Sequence, residues 1–340
     1  MNKIRNLLEE KYVIDLFRKE VLPLYPDFAD IKKVKIKAHK DYIWESSYHV
    51  VIEFTVGFIT KEKKAKTLAI FCSAHSEEPR KNVYDALKYL WDHSFAKGFL
   101  TIPHPLFYSE HFNATFYRGV EGHHLYYYIR KKNREEIEKI IPKAAALFAK
   151  LHAVSAETAC NFNSDHNLIR TVVPNKDRIL DDVKKNYPEY FDVCQKAYEI
   201  FIKKEENFLA STDKRWLIHG DAHPENIIKM GKKKIALIDF TDICLGDFAR
   251  DLGCFLQQLE YMSIRKIEDR EYTEKLKKIF LDHYLKNAKI KLDDNLQGRI
   301  NNYYNWTTMR TATFFLLKYG PQPERAIPLI EIIKKNLNIK

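Results

Sequence analysis

Glycine is scarce in this chain, with 10 residues in 340. Together with 12 prolines, that leaves no long flexible linker, and no internal repeat or low-complexity tract is visible. A Walker-type GxxxxGK[ST] is absent, which excludes the phosphate-cradling loop built on that pattern. No stretch approaches the roughly 20 apolar residues that cross a bilayer, so no membrane partner is expected. The N-terminal MNKIRNLLEEKYVIDLF is charged throughout and lacks an apolar h-region, so it does not read as a secretory signal. The five cysteines (Cys72, Cys160, Cys194, Cys244 and Cys254) form no CxxC pair. Their odd count and wide spacing suit reduced thiols, and a cytoplasmic setting is expected.

What is present suffices for a sizeable core. Hydrophobic residues make up 45% of the chain and aromatics 13%, which excludes a disordered protein. The length suggests roughly two domains. Basic residues number 57 against 46 acidic ones, a net charge of +11. Such an excess can serve nucleic acid or an acidic surface. The densest runs, KEKKAK from Lys61 and KMGKKK from Lys229, each fall between strand-like segments, where solvated hairpin tips belong. No nucleic-acid motif accompanies them, and nucleic acid is not expected as a partner.

Periodicity divides the chain in two. Ile4, Leu7, Leu8, Val13, Leu16 and Phe17 approximate helical spacing over residues 3–22. VKIKAHK, YHVVIEFTVGF and KTLAIFCSA then read as three antiparallel strands. NVYDALKYLWDHSF reads as one helix, and LFYSE with NATFYRGV as a further hairpin. After Gly122 the pattern turns helical, with a kink expected at Pro142 in the helix over residues 134–154. Short apolar strands WLIHGD, NIIKM and KIALIDF interrupt it before helical spacing resumes at Phe248. The expected domains are residues 1–117, β-rich, and 118–340, mainly helical.

The chemistry concentrates at residues 219–226, HGDAHPEN, and residues 238–252, IDFTDICLGDFARDL. So many carboxylates in one region need a cation or open water. An amide oxygen and a carboxylate, Asn226 and Asp239, suit a hard divalent cation such as Mg²⁺. Asp221 nearby can accept a proton from a hydroxyl nucleophile. Ordinary turn residues, or zinc ligation by His219, Asp221 and His223, are the competing readings, although a loop containing Pro224 suits zinc poorly. Asp247 and Asp251 read as loop and helix-cap carboxylates.

These two segments resemble the aminoglycoside phosphotransferase and choline kinase-like family, whose catalytic loop runs HGDxHxxN and whose metal segment runs IDFxDxxxGDxxxDL. LFAKLHAV (147–154) and FYRGVEG (116–122), similar to the family's interlobe hinge, extend the likeness. The resemblance implies an α+β, two-lobed protein kinase-like fold. It implies ATP and Mg²⁺ as cofactors and a small-molecule hydroxyl as acceptor. Asp221 is implied as catalytic base, Asn226 and Asp239 as Mg²⁺ ligands, and His219 as a structural part of the loop. Arg118 and Val120 are implied at the adenine. Ser46 and Ser47, in the glycine-free KDYIWESSYH turn, read either as hydroxyl and backbone N–H donors to phosphate or as a plain polar turn. Tyr303, Tyr304, Trp306 and Arg310 are candidate linings of the acceptor pocket.

Kinase-like enzymes carry a phosphate-gripping lysine on the third strand of the small lobe. Here Phe71, Cys72 and Ser73 occupy that stretch. Lys66, Lys37, Arg80 or Lys81 are the candidate substitutes. The leading expectation is a phosphotransferase acting on a small alcohol. The alternative is a nucleotide-binding pseudokinase that scaffolds or regulates a partner.

Overall fold

A computed structural model describes residues 2–339. In chain order, a 3₁₀ segment (Lys3–Leu8) precedes α1 (Glu10–Glu20), β1 (Phe28–Ile43), β2 (Tyr48–Thr60) and β3 (Ala65–His75). Then come α2 (Lys81–Leu90), β4 (Leu100–Thr101), β5 (His104–Ser109), β6 (Ala114–Arg118) and β7 (His123–His124). Four helices follow: α3 (Leu125–Arg130), α4 (Arg134–His152), α5 (Lys176–Asn186) and α6 (Phe191–Ala210). Short strands β8 (Trp216–Ile218), β9 (Ile227–Met230), β10 (Lys234–Leu237) and β11 (Cys244–Gly246) lead to the last helices. These are α7 (Ala249–Ile267), α8 (Arg270–Ala288), α9 (Asp294–Leu317) and α10 (Pro323–Leu337). The architecture is mixed α+β, with an antiparallel sheet first and helices after it.

Contacts separate two compact units: Met1–Gly122 with Ile228–Thr241, and His123–Ile227 with Asp242–Lys340. The hairpin at 228–241, which the sequence reading assigns to the second domain, thus groups with the first unit.

In the first unit the antiparallel sheet runs in the order β1-β2-β3-β6-β5. β2 shows why it forms: Tyr48, Val50, Ile52, Phe54, Val56 and Phe58 are all buried, at every second position. Phe17 of α1 meets Phe54 and Phe116 edge-on at 5.2 and 6.0 Å, which seals that face of the sheet. Ile70, Cys72 and Ala74 of β3 join the same core. Phe71 and Ser73 therefore face the other way. The lysine-rich runs lie at tight turns, with Lys63 (φ 61°) and Gly231 (φ 62°) left-handed. The sequence reads a single helix over 82–95. The structure ends α2 at Leu90 and continues in a wider π turn whose Ser94 has φ 125°.

In the second unit α4 packs on α8, α7 on α9, and α9 on α10. α4 is one continuous helix, as expected, with Pro142 inside it. Phe148 of α4 sits edge-on to Phe255 and Phe280, 5.5 and 6.1 Å away. Asn133, Asn175, Asp269 and Asp293 cap the first turns of α4, α5, α8 and α9. β8 pairs antiparallel with β11 and delivers the loop at 219–226. Among the described residues no helix is long and apolar enough to cross a membrane.

Candidate active site

The loop after β8 is fixed by buried charges on both sides. Asp251, fully buried in the first turn of α7, accepts from the backbone N–H of His219 at 2.7 Å and of Gly220 at 2.9 Å. His152 of α4 bonds the same carboxylate through Nε2 at 3.0 Å, while its Nδ1 faces the Tyr284 hydroxyl at 2.8 Å. On the opposite side, buried Arg250 donates to the Gly220 carbonyl at 3.0 Å. Gly220 has φ +83°, and a Cβ there would stand 2.3 Å from the Asp242 carbonyl oxygen, so only glycine fits. Asp251 is thus the loop's anchor and not a helix cap. Asp247 does act as expected of a cap, accepting from Ala249 N–H at 3.0 Å, and it also pairs with Arg299.

This clamp presents Asp221, whose side chain is half exposed. Its Oδ2 lies 3.3 Å from His223 Nε2. His223 Nδ1 accepts from Glu225 N–H at 3.2 Å, so the ring proton sits on Nε2 and points at Asp221. Burial pushes the Asp221 carboxyl up. The His223 hydrogen bond and charge, with His219 and Arg310, outweigh that and hold it below the ordinary carboxylate range. The tautomer supports the hydrogen bond, which persists when His223 is neutral. Asn226 is buried, and its Nδ2 donates to the Asp221 carbonyl at 2.9 Å, which leaves the amide oxygen as the atom able to meet a cation. Among the described residues no three His, Cys, Asp or Glu side chains gather as a metal-ligand group, so His219, Asp221 and His223 do not form a zinc trio.

Asp221 lines a cavity of about 440 Å³ within the second unit. Of the four candidate linings, Trp306 and Arg310 line this cavity, and Tyr303 and Tyr304 are not among its lining residues. Tyr303 is buried and donates to Glu205 at 3.1 Å, whereas Tyr304 has Lys277 over its ring. Gln258, Tyr261 and Arg325 complete the wall, and the sequence reading missed them. Cys254, Gln258 and Met262 recur every four residues along α7, as do Trp306, Arg310 and Phe314 along α9. That spacing was the available signal, but it is also the spacing of a core stripe.

Asp239 belongs to the first unit. It lies two residues past β10 in a left-handed conformation (φ 64°) and accepts from the Thr241 hydroxyl at 2.8 Å. It lines a cavity of about 390 Å³ with Val51, Phe71, Ser73, Tyr117 and Val120. A second cavity of about 270 Å³, lined by Arg118, Val120 and Trp91, lies in the same unit. Gly119 links the segment to β3 by donating to Ala69 at 2.9 Å. Ser46 and Ser47 lie in the β1–β2 turn. Neither lines these two cavities, and the Ser47 carbonyl accepts from Asn2 and Trp44.

Residues 52–287 match the profile of the phosphotransferase enzyme family, APH. No curated protein matches the chain in sequence. Among solved structures, a Plasmodium vivax ethanolamine kinase is 12% identical at TM-score 0.53, covering 88% of this chain and 81% of that one. Spectinomycin phosphotransferase APH(9)-Ia, solved with ADP and spectinomycin, is 11% identical at TM-score 0.51, covering 96% and 94%. A macrolide 2'-phosphotransferase type I is 13% identical at TM-score 0.51, covering 95% and 96%. At these identities the likeness concerns the fold, which is the kinase-like one expected.

Proposed function

The chain belongs to the phosphotransferase enzyme family, and from that premise we propose that it moves the γ-phosphoryl group of magnesium-bound ATP to a hydroxyl of a small molecule. The observation that carries this reading is the clamped loop of the second unit. Asp251 and Arg250 hold its backbone, and Asp221 stands at the cavity with one carboxylate oxygen committed to His223. The other oxygen, Oδ1, is then the atom that orients an acceptor hydroxyl and takes its proton. A carboxyl held below its usual range is a weak base. That suits a reaction whose transition state is loose, where positioning contributes more than early proton removal.

The donor set fits the nucleotide. The first-unit cavity offers backbone at Gly119 and Val120, the Ser73 hydroxyl and the buried guanidinium of Arg80. Bound Mg-ATP supplies the transferable phosphoryl group and a divalent charge. Asn226 would hold the cation through its amide oxygen and Asp239 through its carboxylate. Arg118 and Val120 would face the adenine. Trp306 and Arg310 would bound the acceptor, and with Arg325 they place two cations in that cavity against Asp221 and Glu225. That balance favours a neutral, zwitterionic or anionic alcohol over a polycation. The five unpaired thiols agree with a cytoplasmic setting.

The test is ADP release from Mg-ATP across a panel of small alcohols, sugars and amino-acid alcohols. Turnover with at least one acceptor is expected, lost on chelation of magnesium and lowered about 10²–10⁴-fold in Asp221→Asn. Nucleotide binding with no turnover on any acceptor, and no effect of Asp221→Asn, would instead mark a pseudokinase.

A further inference from the structure

The third strand lacks the lysine that grips phosphate in kinase-like sites, and the structure discriminates among the cations that stand near by. Lys37 and Lys66 are exposed on β1 and β3, and neither lines the 390 Å³ cavity. Lys81 is exposed and pairs with Asp85 at 2.8 Å. Lys40 reaches the cavity but rests against His49 Nε2 at 3.2 Å. Burial, with Lys40, His75 and Arg80 adding to it and Glu78 opposing, pushes His49 down to about 4, so this neighbour stays neutral and adds no charge of its own.

Arg80 differs from all of these. Its side chain is 8% exposed, it lines the cavity, and its Nε has no hydrogen-bond partner among the described residues. Its ion pair with Glu78, through NH1, is long at 3.4 Å and involves a carboxylate that is itself 66% exposed. A buried guanidinium with an unmet donor is costly unless an anion completes it. The backbone explains its position. Arg80 N–H donates to the Asn113 carbonyl, and the Thr115 hydroxyl donates to the Arg80 carbonyl. Thr115 is the register partner of Ser73, and Ser73 is the partner of Val51, which lies opposite Lys40. The guanidinium therefore enters the cavity beside the strand position where the missing lysine would project.

We propose that Arg80, supplied from the start of α2, is the cation that grips the phosphates of a nucleoside di- or triphosphate in the first-unit cavity, in place of a lysine on β3. The inference rests on the nucleotide reading above. Arg80 brings a planar fork where a lysine would bring a point charge.

Calorimetric binding of ADP and of adenosine separates the two ideas. The unmodified chain is expected to bind ADP more tightly than adenosine. Arg80→Gln should weaken ADP about 10–100-fold, the range for one charge-assisted contact, and leave adenosine within about twofold. Adding Ser73→Lys to that variant should recover part of the ADP affinity. Equal losses for ADP and adenosine, or unchanged ADP affinity, would overturn the assignment to Arg80 alone. No ADP binding by the unmodified chain would overturn the nucleotide reading and this inference with it. If Arg80→Gln does not fold, Arg80→Lys serves: a several-fold loss confined to ADP supports the fork, and unchanged ADP affinity overturns it.

Discussion

Glu205 shows how one residue can set the pH dependence of the whole chain. It is 3% exposed on α6, accepting from Ile169 N–H at 2.8 Å and from the Tyr303 hydroxyl at 3.1 Å. Burial lifts it from 4.5 to about 7, against the Ile169 N–H, Arg250 and Tyr303, which all favour the charged form. Below pH 4.5 both the folded and unfolded chains keep this proton, and the group contributes nothing. Between 4.5 and 7 the unfolded chain has released a proton that the fold retains, so stability falls as pH rises through that window and levels off above it. The loss approaches about 3 kcal/mol. Glu205→Gln keeps an acceptor for Ile169 and removes the titration. Urea unfolding at pH 4.5 and pH 8 should show the wild-type chain losing ground to the variant by up to about 3 kcal/mol. Parallel behaviour of the two proteins would mean that Glu205 ionises normally in the fold.

At the scale of elements, the site depends on how α4, α7 and β8 meet. Three N–H donors, from His219, Gly220 and His152, converge on the Asp251 carboxylate. Asp251→Asn keeps the shape but turns an amide nitrogen toward donors. Removing one partner of such a buried network costs about 3–5 kcal/mol. The variant should melt earlier and lose turnover, while ADP affinity, proposed for the first unit, stays within about twofold; a fall in ADP affinity as large as the fall in turnover would show that the clamp is not local. Much of this element layer was legible in the sequence. β2 announces itself because every second residue is apolar. The Asp221 loop is legible because its chemistry is contiguous in sequence. Asp251 reads as a cap in the sequence because its donors lie 31, 32 and 99 residues away, on a strand end and on α4, which only tertiary packing brings near. Arg80 was one of four candidates for a similar reason: its place beside Ser73 depends on the pairing of β3 with β6. The break after Leu90 escaped notice since Trp91 and Phe95 continue the apolar spacing of α2.

At the scale of the whole molecule, each of the two proposed cavities is lined from a single compact unit, and the chain order conceals this. The nucleotide cavity draws on β2, β3, the segment after β6 and residues 238–241, which return to the first unit more than 100 residues later in the chain. The acceptor cavity draws on the loop at 220–225 and on α7, α9 and α10. A net charge of +11 gives the whole chain a field that attracts anionic nucleotides, an effect that salt weakens. Ligand binding stabilises the unit that makes the contacts. Hydrogen exchange with saturating ADP should therefore slow amides in two segments distant in sequence, 118–122 and 228–241, and leave α9 and α10 unchanged. An acceptor found in the turnover screen should slow 220–225 and the Trp306–Phe315 stretch instead. Protection of α9 by ADP alone would place the nucleotide in the second cavity, and the assignment of ligands to units would have to be reversed.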